Sequence, residues 1–372
     1  MTNIVTRKTV TFINNQTPPT ITETTLDLDT CYNSNEIVIE VHAAALNPID
    51  FVVHEFSHPK LTSSTPKGYS RDYSGIIIRK GAEVAPIWDI GDHVNGMFHH
   101  VYADQGSLTN YLILDPTKKP AIGHIVENPS TSSSSENGIN NNKFVTNAAW
   151  PLVFGTAYTA LIDQGQIWNN DSRILVIGAS TSVSNCFVQI AKNQLHVGTV
   201  VGICSSKSAE YNKKMGYDYT VSYDEGDGTI SNLRKLMETP EFSGKKFDLI
   251  FDSVGNSEFF PVIHEFLKPK CDNSYYLTVV GDVKVTYEAP SLIRMASLSA
   301  PLRMYNPWSS FNYKAFFVPP RKDWMDFAAR MITLDRFTPQ IDSVFKFEEF
   351  QDALKRLRSN KAKGKVVISI KE

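Results

Sequence analysis

The sequence predicts an α/β protein in two parts, a β-rich domain followed by a doubly wound parallel sheet. Three observations predict it. The first hundred residues read as short strands separated by Pro-, Gly- and Asn-rich joints. A polar run, 127–143, then interrupts the pattern. After it, apolar strands alternate with helix-length segments, the pattern of parallel βαβ units covered on both faces.

The elements follow in order. Thr9 to Ile13, Glu36 to Ala43, Tyr73 to Arg79 and His93 to Met97 are the strands of the first part. The run 127–143 holds Ser130, Thr131, Ser132 to Ser135 and Asn140 to Asn142; it is too polar to pack and predicts a mobile surface insertion carrying no chemistry. The second part offers five strands: Arg173 to Gly178, Thr199 to Cys204, Tyr219 to Ser222, Phe247 to Ser253 and Tyr275 to Gly281. Between them Val183 to Leu195, Ser208 to Met215, Ile230 to Met237 and Glu258 to Leu267 have lengths suited to right-handed crossover helices. Two further helices, Trp324 to Ile332 and Phe347 to Leu357, precede a last strand, Lys365 to Ile370. The expected divisions are 1–150, 151–310 and 311–372.

The 372 residues carry 37 Lys+Arg against 39 Asp+Glu, a formal charge of −2. No global field draws the chain to polyanions, so nucleic acid is not an expected partner. Cys31, Cys186, Cys204 and Cys271 have no C-x-x-C spacing, which argues against a disulfide framework or a zinc ribbon and for a reducing, cytoplasmic setting. No uncharged apolar run approaches the ~18–20 residues that span a bilayer.

The strand ending at Ile177 meets the next helix through Gly178-Ala179-Ser180-Thr181-Ser182-Val183-Ser184. A dinucleotide-binding turn belongs here, where small residues let the backbone approach a pyrophosphate held by helix N-terminal amides. In G-x-G-x-x-G register the chain reads Ala179, Thr181 and Ser184. The hydroxyls of Ser180, Thr181 and Ser182 are candidate phosphate donors. The Cβ of Thr181 is a candidate obstruction, costing ~1–2 kcal/mol if its backbone is left-handed. A serine-capped turn that binds nothing is the alternative.

The next strand ends Ile203-Cys204-Ser205-Ser206-Lys207. An acid for a ribose 2′-hydroxyl is absent at that place, whereas two hydroxyls and a cation suit a 2′-phosphate, which favours NADPH over NADH. A capped helix start with a solvated lysine is the alternative.

Taken with Ala43 to Asp50 (AAALNPID), Asp72 to Ile77, Gly91 to Val94, Gly155 to Tyr158, Phe247 to Gly255 and Lys363 to Val367, the chain resembles the medium-chain dehydrogenase/reductase superfamily in its zinc-less quinone-oxidoreductase (zeta-crystallin-like) branch. It is most similar to a fungal subgroup with yeast members on lipid droplets or mitochondria. The resemblance implies a GroES-like catalytic domain, closed by the C-terminal residues, and an inserted Rossmann domain. It implies Thr156 near the nicotinamide, Ser180, Thr181, Ser182 and Val183 at the pyrophosphate, and Ser205, Lys207 and Tyr223 at the 2′-phosphate. Gly255 and Gly281 would lie beneath the cofactor, with Lys361 or Lys363 reaching it. The zinc positions of relatives fall on Asn47, Arg71 and Leu152 or Val153, a set unsuited to zinc. The implied activity is NADPH-dependent hydride transfer to a quinone or an α,β-unsaturated carbonyl, with Asn47 and Arg71 steadying charge on the acceptor oxygen. The alternative for Arg71 is a structural salt bridge. The alternative for the whole chain is a non-catalytic NADPH-binding adaptor on a lipid surface; a homodimer is a further implication.

Overall fold

Aliphatic and β-branched runs form the strands of the computed structural model, which describes residues 3–127, 142–284 and 299–371. In chain order these are β1 Ile4–Phe12, β2 Thr20–Asp27, β3 Ile37–Ala45, β4 Lys67–Gly68, β5 Asp72–Lys80, β6 His93–Met97, β7 Tyr111–Leu114, β8 Ile122–His124, β9 Arg173–Ile177, β10 Thr199–Cys204, β11 Tyr219–Ser222, β12 Leu249–Asp252, β13 Tyr275–Thr278, β14 Asn312–Ala315, β15 Ile341–Lys346 and β16 Lys365–Ser369. The fold is α/β with mixed and parallel sheets, divided into two compact units, Met1–Gly155 with Pro319–Glu372, and Thr156–Val318.

In the first unit β1 pairs antiparallel with β2 and β4, and a larger sheet runs β15-β16-β3-β5-β6-β8, with β7 also on β3. Alternation along β3 sends Ile37, Ile39 and Val41 into a core with Tyr73, Ile77, Val94, Leu112 and Ile122. Ala43 and Ala45 are small enough for the helix Lys143–Ala148 to close over them, against Phe144 and Val367. The final strand β16 lies inside the sheet, parallel to β15 and antiparallel to β3.

The second unit is a parallel sheet in the order β11-β10-β9-β12-β13-β14. Counted along this unit that is 3-2-1-4-5-6, and the direction of winding reverses between β9 and β12. Both faces are covered, so Ile174–Ile177 and Leu249–Asp252 are buried at every position.

The strands read from the sequence stand to within about five residues, but β2, β4, β7, β8, β14 and β15 were not among them. The sixth strand, β14, belongs to the second unit's sheet, so the expected boundary at 310 cuts that sheet and the division falls after Val318. The other expected boundary, at 150, also moves: the helix Pro151–Ile162, which the sequence reading did not propose, spans the division. The expected helix from Glu258 to Leu267 is reduced to a 3-10 turn, Phe260–Val262, and the turn Ile263–Phe266, because Pro261 lacks an N–H to continue a longer ladder. The proposed insertion 127–143 lies almost wholly outside the described residues; at its ends Lys143 pairs with Glu127 at 3.3 Å. Among the described residues no helix is long and apolar enough to cross a membrane.

Candidate functional site

The turn after β9 sits where the winding reverses, the place at which open α/β sheets bind ligands. Gly178 has φ +84°, and a Cβ there would collide with Val254 and Ser253, so the position requires glycine. Gly178 and Ala179 both donate N–H to Ile203 O, turning the chain into the helix Ser182–Asn193. Thr181 caps this helix with φ −72°, so the left-handed cost weighed for its Cβ does not arise. Its hydroxyl accepts from Ser184 N at 3.3 Å and lies 2.9 Å from Ser184 Oγ and 3.0 Å from Ser253 Oγ. Ser253 in turn donates to Ile177 O. Three hydroxyls therefore lock the turn to the end of β12, which corrects the expectation that Thr181 donates to phosphate. Ser184, fully buried where the motif has its third glycine, belongs to the same lock. The N–H groups of Ser182 and Val183, at the helix start, have no partner among the described residues. Ser180 Oγ accepts from Asn212 Nδ2 at 2.9 Å.

At the end of β10, Ser205 Oγ bonds Ser208 Oγ, and Lys207 is exposed with no ion pair among the described residues. Tyr223 is 53% exposed and tied by its N–H to Cys204 O. Sequence reasoning missed Asp224 here. Its carboxylate accepts from Ser206 N at 2.8 Å and from Ser222 Oγ at 2.7 Å, bonds that hold it below the ordinary carboxylate range. The available signal was an acid directly after Tyr223, at the end of the third strand rather than the second.

Gly255 (φ +84°) and Gly281 (φ +100°) follow β12 and β13. A Cβ on Gly255 would collide with Val283 O, whereas a Cβ on Gly281 would meet no atom of the described residues within 4 Å. The Gly255 loop is shaped by Asp252, which accepts from the N–H groups of Val254, Gly255 and Asn256 and from the Tyr276 hydroxyl; burial pushes its pKa up to about 6. Thr156 is buried in the helix Pro151–Ile162. Lys361 is exposed in the first unit, its carbonyl accepting from Arg356, and Lys363 donates its N–H to Asp342.

In the first unit, the residues at the suspected zinc positions are consumed internally. Asn47 is fully buried; its amide nitrogen donates to Asp72 Oδ2 at 2.9 Å and Ala45 O at 3.3 Å, and its Oδ1 accepts from Lys365 Nζ at 2.6 Å. Lys365 also pairs with Asp72 Oδ2 at 2.9 Å, while Asp72 Oδ1 accepts from Leu152 N. Arg71 pairs with Asp50 Oδ1 at 3.1 Å and donates to His100 O. Burial pushes Asp50 up to about 6 despite Arg71, and pushes His100 down to about 4, with Arg71's charge adding to the fall. The Asn47 amide spends both N–H groups inside the chain, which corrects its expected role as an oxyanion donor, and Arg71 makes the salt bridge to Asp50 that was its alternative.

The chain matches the protein YIM1 of Saccharomyces cerevisiae at 50% identity over 368 residues, which covers 99% of each. The chain belongs to the YIM1 family. Residues 215–368 match the family pattern described as a zinc-binding dehydrogenase. The fold is that of the medium-chain dehydrogenases/reductases, with GroES-like and Rossmann parts. A quinone oxidoreductase from Coxiella burnetii superposes with a TM-score of 0.73 at 21% identity over 99% of this chain and 100% of that one. The quinone oxidoreductase of Escherichia coli, solved with NADPH, gives 0.71 at 18% identity over 98% and 100%.

Zinc does not fit this YIM1-family chain at the tested corner: an amide already bonded to an ammonium, a guanidinium and a backbone N–H offer no thiolate or free imidazole, and Lys365 Nζ occupies the acceptor face with its own charge. A dinucleotide fits the second unit better, where the helix start is open and the glycines clear the strand ends.

Proposed function

We propose that this protein is an NADPH-dependent oxidoreductase that reduces a quinone or an α,β-unsaturated carbonyl without a metal. The observation that carries the reading is the turn after β9: two N–H groups at a helix start with no partner among the described residues, at the sheet's winding reversal, with exposed Lys207 and Tyr223 at the end of the neighbouring strands. The Ser182 and Val183 amides hold the pyrophosphate, as helix N-termini hold anions. Lys207 holds the 2′-phosphate by a charge-assisted hydrogen bond, and Tyr223 adds a hydroxyl. The hydroxyl lock of Thr181, Ser184 and Ser253 keeps the amides in place, and Asp252 fixes the loop that carries Gly255. A bound nicotinamide supplies hydride, and water supplies the proton taken up by the acceptor oxygen. The E. coli structure solved with NADPH supports the cofactor choice.

The test is calorimetric titration with NADPH, followed by stopped-flow oxidation across a panel of quinones and enones. Tight binding with acceptor-dependent oxidation is expected. Binding with no oxidation by any acceptor would transfer the reading to a non-catalytic NADPH-binding adaptor, and no binding would end both.

A further inference from the structure

We infer that Asp224 is a specificity-determining residue that opposes the NADPH preference, leaving the protein able to use NADH as well. The inference rests on the dinucleotide reading of the second unit and deepens it. A 2′-phosphate at the end of β10 needs backbone N–H and serine hydroxyl donors beside a cation. Two donors of that kind are already taken: Ser206 N at 2.8 Å and Ser222 Oγ at 2.7 Å both point to Asp224. The carboxylate thus performs inside the chain the anion's part at the start of the helical turn Ser206–Ser208. It comes from β11's end, directly after Tyr223, so the residue offering a hydroxyl to the phosphate is joined to one that repels it. Lys207 and Asp224 act with opposite sign on one substituent. A ribose 2′-hydroxyl, being neutral, carries no charge for Asp224 to repel and can itself donate to a carboxylate, as the acid of NAD-binding folds is used.

NADPH and NADH differ only at this substituent, so their affinity ratio isolates it from effects on folding or on the rest of the site. The ratio is measured by calorimetry at fixed ionic strength in wild type, Asp224→Asn and Glu225→Gln, with thermal unfolding of the unliganded proteins to confirm folding. Asp224→Asn removes the charge while keeping an acceptor for Ser206 N, and is expected to raise the NADPH/NADH affinity ratio by roughly tenfold, through tighter NADPH binding, more at low salt than at high. Glu225→Gln removes a neighbouring exposed charge and is expected to leave the ratio within about twofold. A ratio unchanged in Asp224→Asn, or moved equally by Glu225→Gln, would overturn the inference while leaving dinucleotide binding intact. A wild type that binds neither nucleotide would overturn the dinucleotide reading and this inference with it.

Discussion

The corner around Asp72 and the turn around Thr181 hold the same kinds of groups, amides, hydroxyls and charges, and spend them differently. Around Asp72 the charged groups are answered from inside: Asn47, Lys365 and the Leu152 N–H converge on one carboxylate, and Arg71 is answered by Asp50. Around Thr181 the hydroxyls answer one another, and that leaves the Ser182 and Val183 amides facing outward. Buried polar groups that are fully satisfied specify a core; those held in place but left open make a binding surface. The difference puts a stability element in the first unit's corner and, on the function proposed above, the ligand at the second unit's turn.

The sharpest way to break the comparison is Lys365→Met. It leaves Asp72 charged, fully buried and short of its cation, and is expected to cost about 3–5 kcal/mol in denaturant unfolding; Asp72→Asn/Lys365→Met should recover part of that loss. An unchanged unfolding midpoint would mean that the corner is not a stability element. Lys207→Ala tests the other side: the NADPH/NADH affinity ratio should fall about ten- to a hundredfold with unfolding unaffected, because Lys207 is exposed and makes no ion pair among the described residues.

The corner also has a pH signature. His100 titrates at about 4 when folded and near 6.5 otherwise, so the unfolded chain binds the proton first and stability falls as pH drops between these values. Asp50, raised to about 6, acts in the opposite sense: the folded carboxyl takes the proton first, and acid favours the native state between about 6 and 4. His100→Gln should therefore lose about 2 kcal/mol less than wild type between pH 7 and 5, read from unfolding free energies at both values. Equal losses would show that His100 is not held neutral. The smallest effect is expected from Thr181→Ala, which removes a cap worth about 1 kcal/mol and loosens the hydroxyl lock; NADPH affinity should change by no more than about threefold. A loss of a hundredfold would restore Thr181 as a phosphate donor.

How much the sequence revealed depended on how local the deciding contact was. β9, β10, β12 and β13 were legible because strands buried on both faces are largely apolar runs. β14 was not, since Asn312–Ala315 reads NYKA and only Tyr313 in it is buried. The glycine-poor turn was placed correctly, but the direction of the Thr181 hydroxyl depends on Ser253, 72 residues away. The role of Asn47 was further out of reach: whether its amide faces a ligand or a neighbour is decided by Lys365, 318 positions later.

That last separation has a consequence for synthesis. β16 is an interior strand of the first unit, between β15 and β3, and it ends at Ser369. Through most of translation β3 has no partner on that side, and Asn47 and Asp72 wait without their ammonium. The parallel sheet of the second unit is complete once Ala315 is made, so it can form while the first unit's sheet is still open. The nascent chain therefore matures from its middle outward, and a chain released before β16 is made keeps β3 open on the side where Lys365 would answer Asn47 and Asp72.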